Sequence, residues 1–376
     1  MQQTPVLIIG ASIAGLAVAA SLQKKGMDYT IIEKESQTVM PWRNHYERLH
    51  LHTNKSLSNL PFKKFNKAVP RYPSRQQVVD YLDDYRSAFN ICPQFNTEAI
   101  TVRKEATRWI TETNRGIITS TYIIVATGAF GKPRVAEIKG LETFTGPVLH
   151  SYGYKTGKAF SRKDVLVIGF GNSACEIAID LYEQGAKPAL AVRSAVNVLP
   201  RDIMGVPILQ LSIAMSLLPA RLADRLNAPL IRLLTGDITK LGLRKLPYGP
   251  LEQIKNDGHA PVLDIGTLQL IRGGKIKIHG AIDHIHNNMV YFGNGQSASF
   301  DVIVTAIGYY RDYEKLIQVD KKRFDDLKYS VRHQQYFGMD GLYFCGFWIA
   351  PTGQMREIAR DAQIIAKDIC KKEKAR

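Results

Sequence analysis

VLIIGASIAGLAVAASLQKKGMDYTIIEKE, Val6 to Glu35, carries a strand, a turn, a helix and a second strand in one unbroken run. Val6 to Ile9 is a short apolar run of the kind that forms a buried strand. Gly10, Ser12 and Gly15 follow in the spacing G-x-S-x-x-G. A helical pattern runs from about Ala14 to Lys25, Gly26 ends it, and Tyr29 to Ile32 is the next strand. Glu33 closes that strand. A strand, a glycine turn, a helix and a terminal acid in this order form a dinucleotide grip. The turn must be tight, the backbone must approach a pyrophosphate, and the helix N-terminus attracts negative charge. The acid accepts hydrogen bonds from ribose hydroxyls. The candidate contacts here are Gly10, Ala11, Ser12, Ala14, Gly15, Glu33 and Lys34. Ser12 stands where a glycine is usual; it is small, and its hydroxyl suits a phosphate.

A second unit of the same kind opens at Asp164: DVLVIGFGNSACEIAIDLYEQGAKPALAVRS. Gly169, Gly171 and Ala174 stand in G-x-G-x-x-A after the strand Val165 to Ile168, with Asn172 and Ser173 at the helix start. A helix is expected to about Gln184, then a strand from Pro188 to Val192. The residue after that strand is Arg193, followed by Ser194, where an acid would favour a free ribose 2′-hydroxyl. Arginine suits a 2′-phosphate by charge and bidentate geometry. The first site therefore favours FAD, with NAD as the alternative, and the second favours NADPH. A plain surface arginine at a strand end is the other reading of Arg193.

At 376 residues the chain has room for two domains with full cores. The net charge of +16 points toward anionic partners: nucleic acid, a membrane surface or small anions. Lys and Arg are dispersed apart from the tail Lys371–Lys374, and no nucleic-acid motif is present, so nucleic acid is not expected. Cys92, Cys175, Cys345 and Cys370 are scattered, with no C-x-x-C, so neither a metal knuckle nor a dithiol centre is indicated. Their use suits a reducing cytosol. The apolar stretch Val206 to Leu218 is too short to span a bilayer and reads as a buried or interfacial helix; peripheral membrane contact stays open, as does oligomeric state.

Between the two nucleotide units the chain is less regular. Pro41 to Phe62, PWRNHYERLHLHTNKSLSNLPF, has no clean period and reads either as an irregular connection or as the wall of a flavin pocket. Ser74 to Phe89 is expected to be a helix, with Ser74 as N-cap and Val78, Val79, Tyr81, Leu82 and Tyr85 inward. Strands are expected near Ala99–Arg103, Arg108–Thr113 and Gly116–Ser120. Further strands are expected at Tyr122–Gly128, Asp301–Tyr309 and 341–346, before a last helix that opens at Pro351–Gly353. Leu199 to Leu270 is assigned to the second domain, near substrate.

FTGPVLHSYGYK, with Phe144, Gly146, His150, Tyr154 and Lys155, fits F-x-G-x-x-x-H-x-x-x-Y-K. With a glycine turn on either side, it resembles the fingerprint of flavin-containing monooxygenases. The stretches Ala191–Asp202, Gly242–Glu252, Pro261–Ile278 and Ala306–Tyr309 are similar to the YUCCA-type branch, whose plant members decarboxylate indole-3-pyruvate. Ser12, Ile307 and the passage GFWIAPTGQMRE depart from the family pattern.

The resemblance implies two three-layer α/β Rossmann-like domains, with the NADPH domain at 157–296 inserted into an FAD domain at 1–156 and 297–376. It implies an NADPH-dependent monooxygenase that takes a small-molecule substrate and O2 and works through a C4a-(hydro)peroxyflavin. Asn54 matches the family's active-site Asn, with an Asx turn as its plain alternative. Trp42, Arg43 and His52 are implied near the flavin, and Thr127 and Gly128 at the domain crossing. His150 is expected to act through domain coupling, not as a base. Oxidative decarboxylation of an aryl 2-keto acid is the leading activity. N- or S-oxygenation, an NADPH-dependent flavoprotein reductase and a non-catalytic flavin sensor are the alternatives.

Overall fold

Every strand expected at the head of the chain forms, and the sheet grows outward from the first. The computed structural model describes residues 1–215, 217–310, 313–318 and 339–375. The chain divides into two compact units. One comprises Met1–Arg43, Thr53–Lys132 and Tyr309–Arg376; the other comprises Asn44–His52 and Pro133–Gly308.

In the first unit β1 (Gln2–Ile9) lies between β2 (Thr30–Ile32) and β5 (Gly116–Val125), parallel to both. β3 (Ala99–Glu105) and β4 (Arg108–Thr113) extend the sheet antiparallel beyond β5. The sequence reads β5 as two strands, but it is one of ten residues. Its first half pairs with β4, while Ile123–Val125 pairs with the strand Leu342–Phe344. β1 likewise begins at Gln2, because Gln2–Thr4 pairs with Ile118–Ser120. α1 (Ile13–Gln23) is buried along Ala14–Leu22 and has no polar face. The last helix, Gln354–Lys374, packs against it. α2 (Met40–Arg43) is a single turn, and α3 (Arg75–Ala88) starts in a capping box between Ser74 and Gln77. The five apolar residues expected to face inward from α3 are buried.

The second unit holds a parallel sheet of β6 (Val148–His150), β7 (Asp164–Ile168), β8 (Lys187–Ala191), β9 (Lys277–His279) and β10 (Val302–Thr305). Their order is β9-β8-β7-β10-β6. α4 (Asn172–Glu183) follows β7. The unit also carries α5 (Ile208–Met215), α6 (Ala220–Thr235), α7 (Pro250–Asp257) and α8 (Thr267–Arg272).

Two boundaries differ from the expected domain limits of 156 and 297. β6 and β10 are neighbours in the second sheet, which carries 133–156 and 297–308 into that unit. Asn44–His52 crosses over as well, held by side chains whose partners lie far away in sequence. Of the expected apolar helix Val206–Leu218, Ile208–Met215 is helical and Leu217 and Leu218 are exposed; Ser216 lies outside the described residues.

Candidate functional site

Gly10 ends β1 with φ +101°, a conformation that side chains rarely adopt. Its N–H donates to the Ile32 carbonyl at 2.9 Å, so the turn is tied to β2. A Cβ on Gly15 would lie 1.9 Å from the Gly10 carbonyl oxygen, so only glycine lets α1 start this close to the turn. Ser12 is the N-cap of α1, its hydroxyl makes no capping bond, and the first turn holds no acid. Those open amides and the dipole are what an anion needs. Glu33 reaches back across the turn: one carboxylate oxygen accepts from the Ala11 N–H at 2.7 Å and the other from the Glu35 N–H at 3.1 Å. A carboxylate has about four acceptor positions, so capacity for ribose hydroxyls remains.

Around this turn the first unit gathers segments from far along the chain. A Cβ on Gly346 would meet the Ala14 Cβ at 3.1 Å, and one on Gly353 would meet Thr53 Cγ2 at 3.1 Å. The N-terminus of the last helix and the Thr53–Asn54 loop therefore lie side by side. Asn54 is 5% exposed. Its side-chain oxygen accepts from the Leu57 N–H at 3.0 Å and the Ser56 hydroxyl at 3.1 Å, so the Asx turn is real. That arrangement engages only the oxygen; the amide NH2 makes no hydrogen bond among the described residues.

The other expected residues fall out differently. Arg43 binds Asp83 of α3 through one guanidinium nitrogen, at 2.5 and 2.6 Å, and donates to the Thr38 carbonyl at 3.0 Å. It fastens α2 to α3. Trp42 is half-buried on α2, and Lys34 is exposed. Thr127 is exposed just beyond β5, and Gly128 there has φ +85°. His52 lies in the second unit, its Nε2 3.5 Å from the Glu176 carboxylate on α4.

The second glycine turn repeats the first. Gly169 has φ +125°, and a Cβ there would lie 2.6 Å from the Ala306 carbonyl oxygen. Gly171 caps α4 and faces open space, with nothing within 4 Å of where a Cβ would stand. Ala174 is fully buried. Asn172 is held by strand Val262–Asp264, its side-chain oxygen accepting from the Leu263 N–H at 2.8 Å. Ser173 is half-buried beside it. Arg193 and Ser194 are exposed beyond β8, and the Arg244 guanidinium donates to the Arg193 carbonyl. Two guanidinium groups thus stand at this corner. Spacing could not show the second, because the pair lies 51 positions apart in the chain, with strands, helices and loops between. The two turns, one with an acid and the other with paired arginines beyond its second strand, fit FAD and NADPH respectively.

The fingerprint residues have structural partners within the second unit. Phe144 sits in the core with Leu166 and Ile303. Gly146 is required because a Cβ would lie 2.1 Å from the Asp301 carbonyl oxygen. His150 Nε2 lies 3.2 Å from the Gly308 carbonyl, and burial holds its pKa below the ordinary imidazole value. Tyr154 is fully buried and donates to Asp180 of α4 at 2.5 Å; the Gly157 N–H meets the same oxygen at 2.7 Å. Lys155 donates to the Asn44 carbonyl. From the segment Asn44–His52, Tyr46 donates to Glu176 at 2.5 Å and Arg48 pairs with Glu183 at 2.8 Å.

A family described as pyridine nucleotide-disulphide oxidoreductase matches residues 7–200. An Arabidopsis thaliana protein named probable indole-3-pyruvate monooxygenase YUCCA4 is 40% identical over 371 residues, covering 96% of this chain and 89% of that one. Flavin-containing monooxygenase from Stenotrophomonas maltophilia superimposes with a TM-score of 0.71 over 98% of each chain, at 18% identity. Bacillithiol disulfide reductase Bdr from Staphylococcus aureus gives 0.70 over 99% of this chain and 100% of that one, at 19% identity. At these identities the structural likeness concerns fold alone, and oxygenase and reductase share that fold.

Two predictions follow from the turns. Gly15→Ala should yield colourless protein, because the methyl group collides with backbone that cannot move aside. Gly171→Ala should keep its flavin and Tm, since the methyl enters open space, yet raise KM for NADPH by about tenfold or more. Flavin-replete Gly15→Ala, or an unchanged KM in Gly171→Ala, would overturn the respective assignment. For the arginines, Arg193→Ala or Arg244→Ala should each lower kcat/KM for NADPH about tenfold to a hundredfold and leave NADH kinetics nearly unchanged. Equal losses with both nucleotides would make the residue structural.

Proposed function

The chain belongs to the pyridine nucleotide-disulphide oxidoreductase family, in its branch of YUCCA-type flavin monooxygenases, and from that premise we propose that it oxidatively decarboxylates an aryl 2-keto acid of the indole-3-pyruvate type. As an FAD- and NADPH-dependent monooxygenase it consumes one O2 and one NADPH per turnover. The proposed reaction balances: 2-keto acid, O2, NADPH and a proton give the acid one carbon shorter, carbon dioxide, water and NADP+. The observation that carries this reading is 40% identity to a relative of that name across 96% of this chain.

Bound flavin supplies the hydride acceptor and the oxygen-reactive centre. The chain's own residues bind, orient and exclude water. Gly10 and Gly15 let backbone reach the FAD pyrophosphate, and Glu33 holds the adenosine ribose. Arg193 and Arg244 hold the NADPH 2′-phosphate. Asn54 presents its amide NH2 as a donor that does not titrate, on a loop fixed by its own oxygen. The four cysteines form no disulfides, which supports a reducing compartment, and cytosol is the proposed location.

Asn54→Asp separates the two faces of that amide. The carboxylate keeps an acceptor for Leu57 N–H and loses the NH2 donor. Flavin reduction by NADPH and the Tm should stay near wild type, while product per NADPH falls about tenfold and hydrogen peroxide rises correspondingly. Unchanged coupling would remove Asn54 from the chemistry. For substrate, enzyme, NADPH, O2 and indole-3-pyruvate should give indole-3-acetate above the spontaneous background by mass spectrometry. No acetate, alongside NADPH-coupled turnover of a thioether or amine, would replace this reading with N- or S-oxygenation.

A further inference from the structure

The helix α6 is docked with its polar side in. Ala223, Asp224 and Thr235 are buried. The Asp224 carboxylate accepts from the Leu251 and Glu252 N–H groups at 3.1 and 3.0 Å, which ties α6 to the first turn of α7. Leu222, Leu226, Leu230 and Leu233 recur at helical spacing on the other side, and all are exposed, Leu226 by 59% and Leu233 by 80%. The chain leading into α6 continues the pattern, with Leu217 88% exposed and Met204 95% exposed at a hairpin tip. Among the described residues, nine of eighteen exposed large apolar side chains fall between 204 and 234. Single exposed leucines need no explanation, but a continuous stripe marks an interaction site.

The charge beside the stripe identifies the occupant. Arg221, Arg225 and Arg232 are exposed on α6, while its one acid, Asp224, is turned inward. Arg221 pairs with Glu252, whereas the Arg225 and Arg232 side chains make no ion pair among the described residues. A second copy of a chain with net charge +16 would bring like charge toward like charge. An anionic lipid surface gains from both the leucines and the arginines. No helix among the described residues is long and apolar enough to cross a membrane, so the contact is a lying helix and not a span.

We propose that α6, with Leu217 and the Met204 hairpin, is a docking surface for an anionic lipid bilayer, the helix lying in the interface with its leucines toward the acyl chains. This holds whatever substrate the enzyme oxidises.

The test uses the FAD-loaded full chain and vesicles of phosphatidylcholine with or without phosphatidylserine, read by co-sedimentation. Wild type should bind phosphatidylserine vesicles at least about tenfold more tightly than neutral ones, and high salt should weaken the binding. Leu226→Asp with Leu233→Asp should abolish binding while flavin content and NADPH oxidation stay unchanged. Arg225→Glu with Arg232→Glu should remove only the phosphatidylserine advantage. Leu226→Cys carrying an environment-sensitive dye keeps the test valid if the aspartate pair misfolds; its emission should shift blue on vesicles. Wild type that ignores phosphatidylserine vesicles would overturn the proposal. So would a dimer, seen by sedimentation velocity, that the aspartate pair dissociates.

Discussion

Backbone meets backbone at the start of α1, and the nucleotide chemistry of the first unit depends on that contact. The Gly15 Cα sits so near the Gly10 carbonyl that a methyl group would stand 1.9 Å from its oxygen. The approach does two things together. It sets the start of α1 against the turn at the end of β1 with no side chain between, and it aims the first amides of the helix at the mouth of the turn. A further close approach is shared by both units: a Cβ on Gly10 would lie 2.9 Å from the Ala126 carbonyl oxygen, and one on Gly169 2.6 Å from the Ala306 carbonyl oxygen. In both units the glycine abuts the residue just past a neighbouring parallel strand, Ala126 after β5 and Ala306 after β10. A ligand at the C-terminal ends of parallel strands follows from that geometry.

α4 shows how one helix serves two purposes. Its N-terminus faces the open space before Gly171, while Glu176, Asp180 and Glu183 form an acidic ladder along one side. Buried carboxylates are costly unless hydrogen-bonded. Two separate segments meet that demand for Glu176 and Asp180: Tyr46 from one, and Tyr154 and the Gly157 N–H from the other, while Arg48 pairs with the exposed Glu183. The Tyr at the end of F-x-G-x-x-x-H-x-x-x-Y-K is thus a partner for a buried acid. His150 is held against a carbonyl, and burial favours its neutral form. The fingerprint works here as a clasp on the fold.

The strand–turn–helix units were legible in the sequence because their rules are local: apolar period, glycine spacing, a terminal acid or arginine. Ser74 and its helix were legible for the same reason. Asn44–His52 was not. It has no period of its own, and its place is set by Tyr46 and Arg48 reaching acids more than 125 residues away. Arg43 was expected at the flavin, but its bond to Asp83 cannot be inferred without knowing that α2 and α3 touch. Asn54 was read as either a turn cap or an active-site amide. The two readings use different atoms of one side chain, so the sequence could not choose between them and the structure does not require a choice.

Helix periodicity fails in an instructive way at α6. The pattern of leucines and arginines looks like any surface helix with its apolar face turned to the core. What reverses it is Asp224, whose carboxylate caps the first turn of α7 and can do so only from the buried side. Burying an acid where it accepts two backbone bonds is tolerable, and burial still pushes its pKa up from the ordinary carboxylate value. The core beneath is already closed, with Leu199 and Ile238 buried, and so the leucines remain outside. The net charge of +16 suits each of the anionic partners proposed above, the nucleotide phosphates, the keto-acid carboxylate and the lipid headgroups.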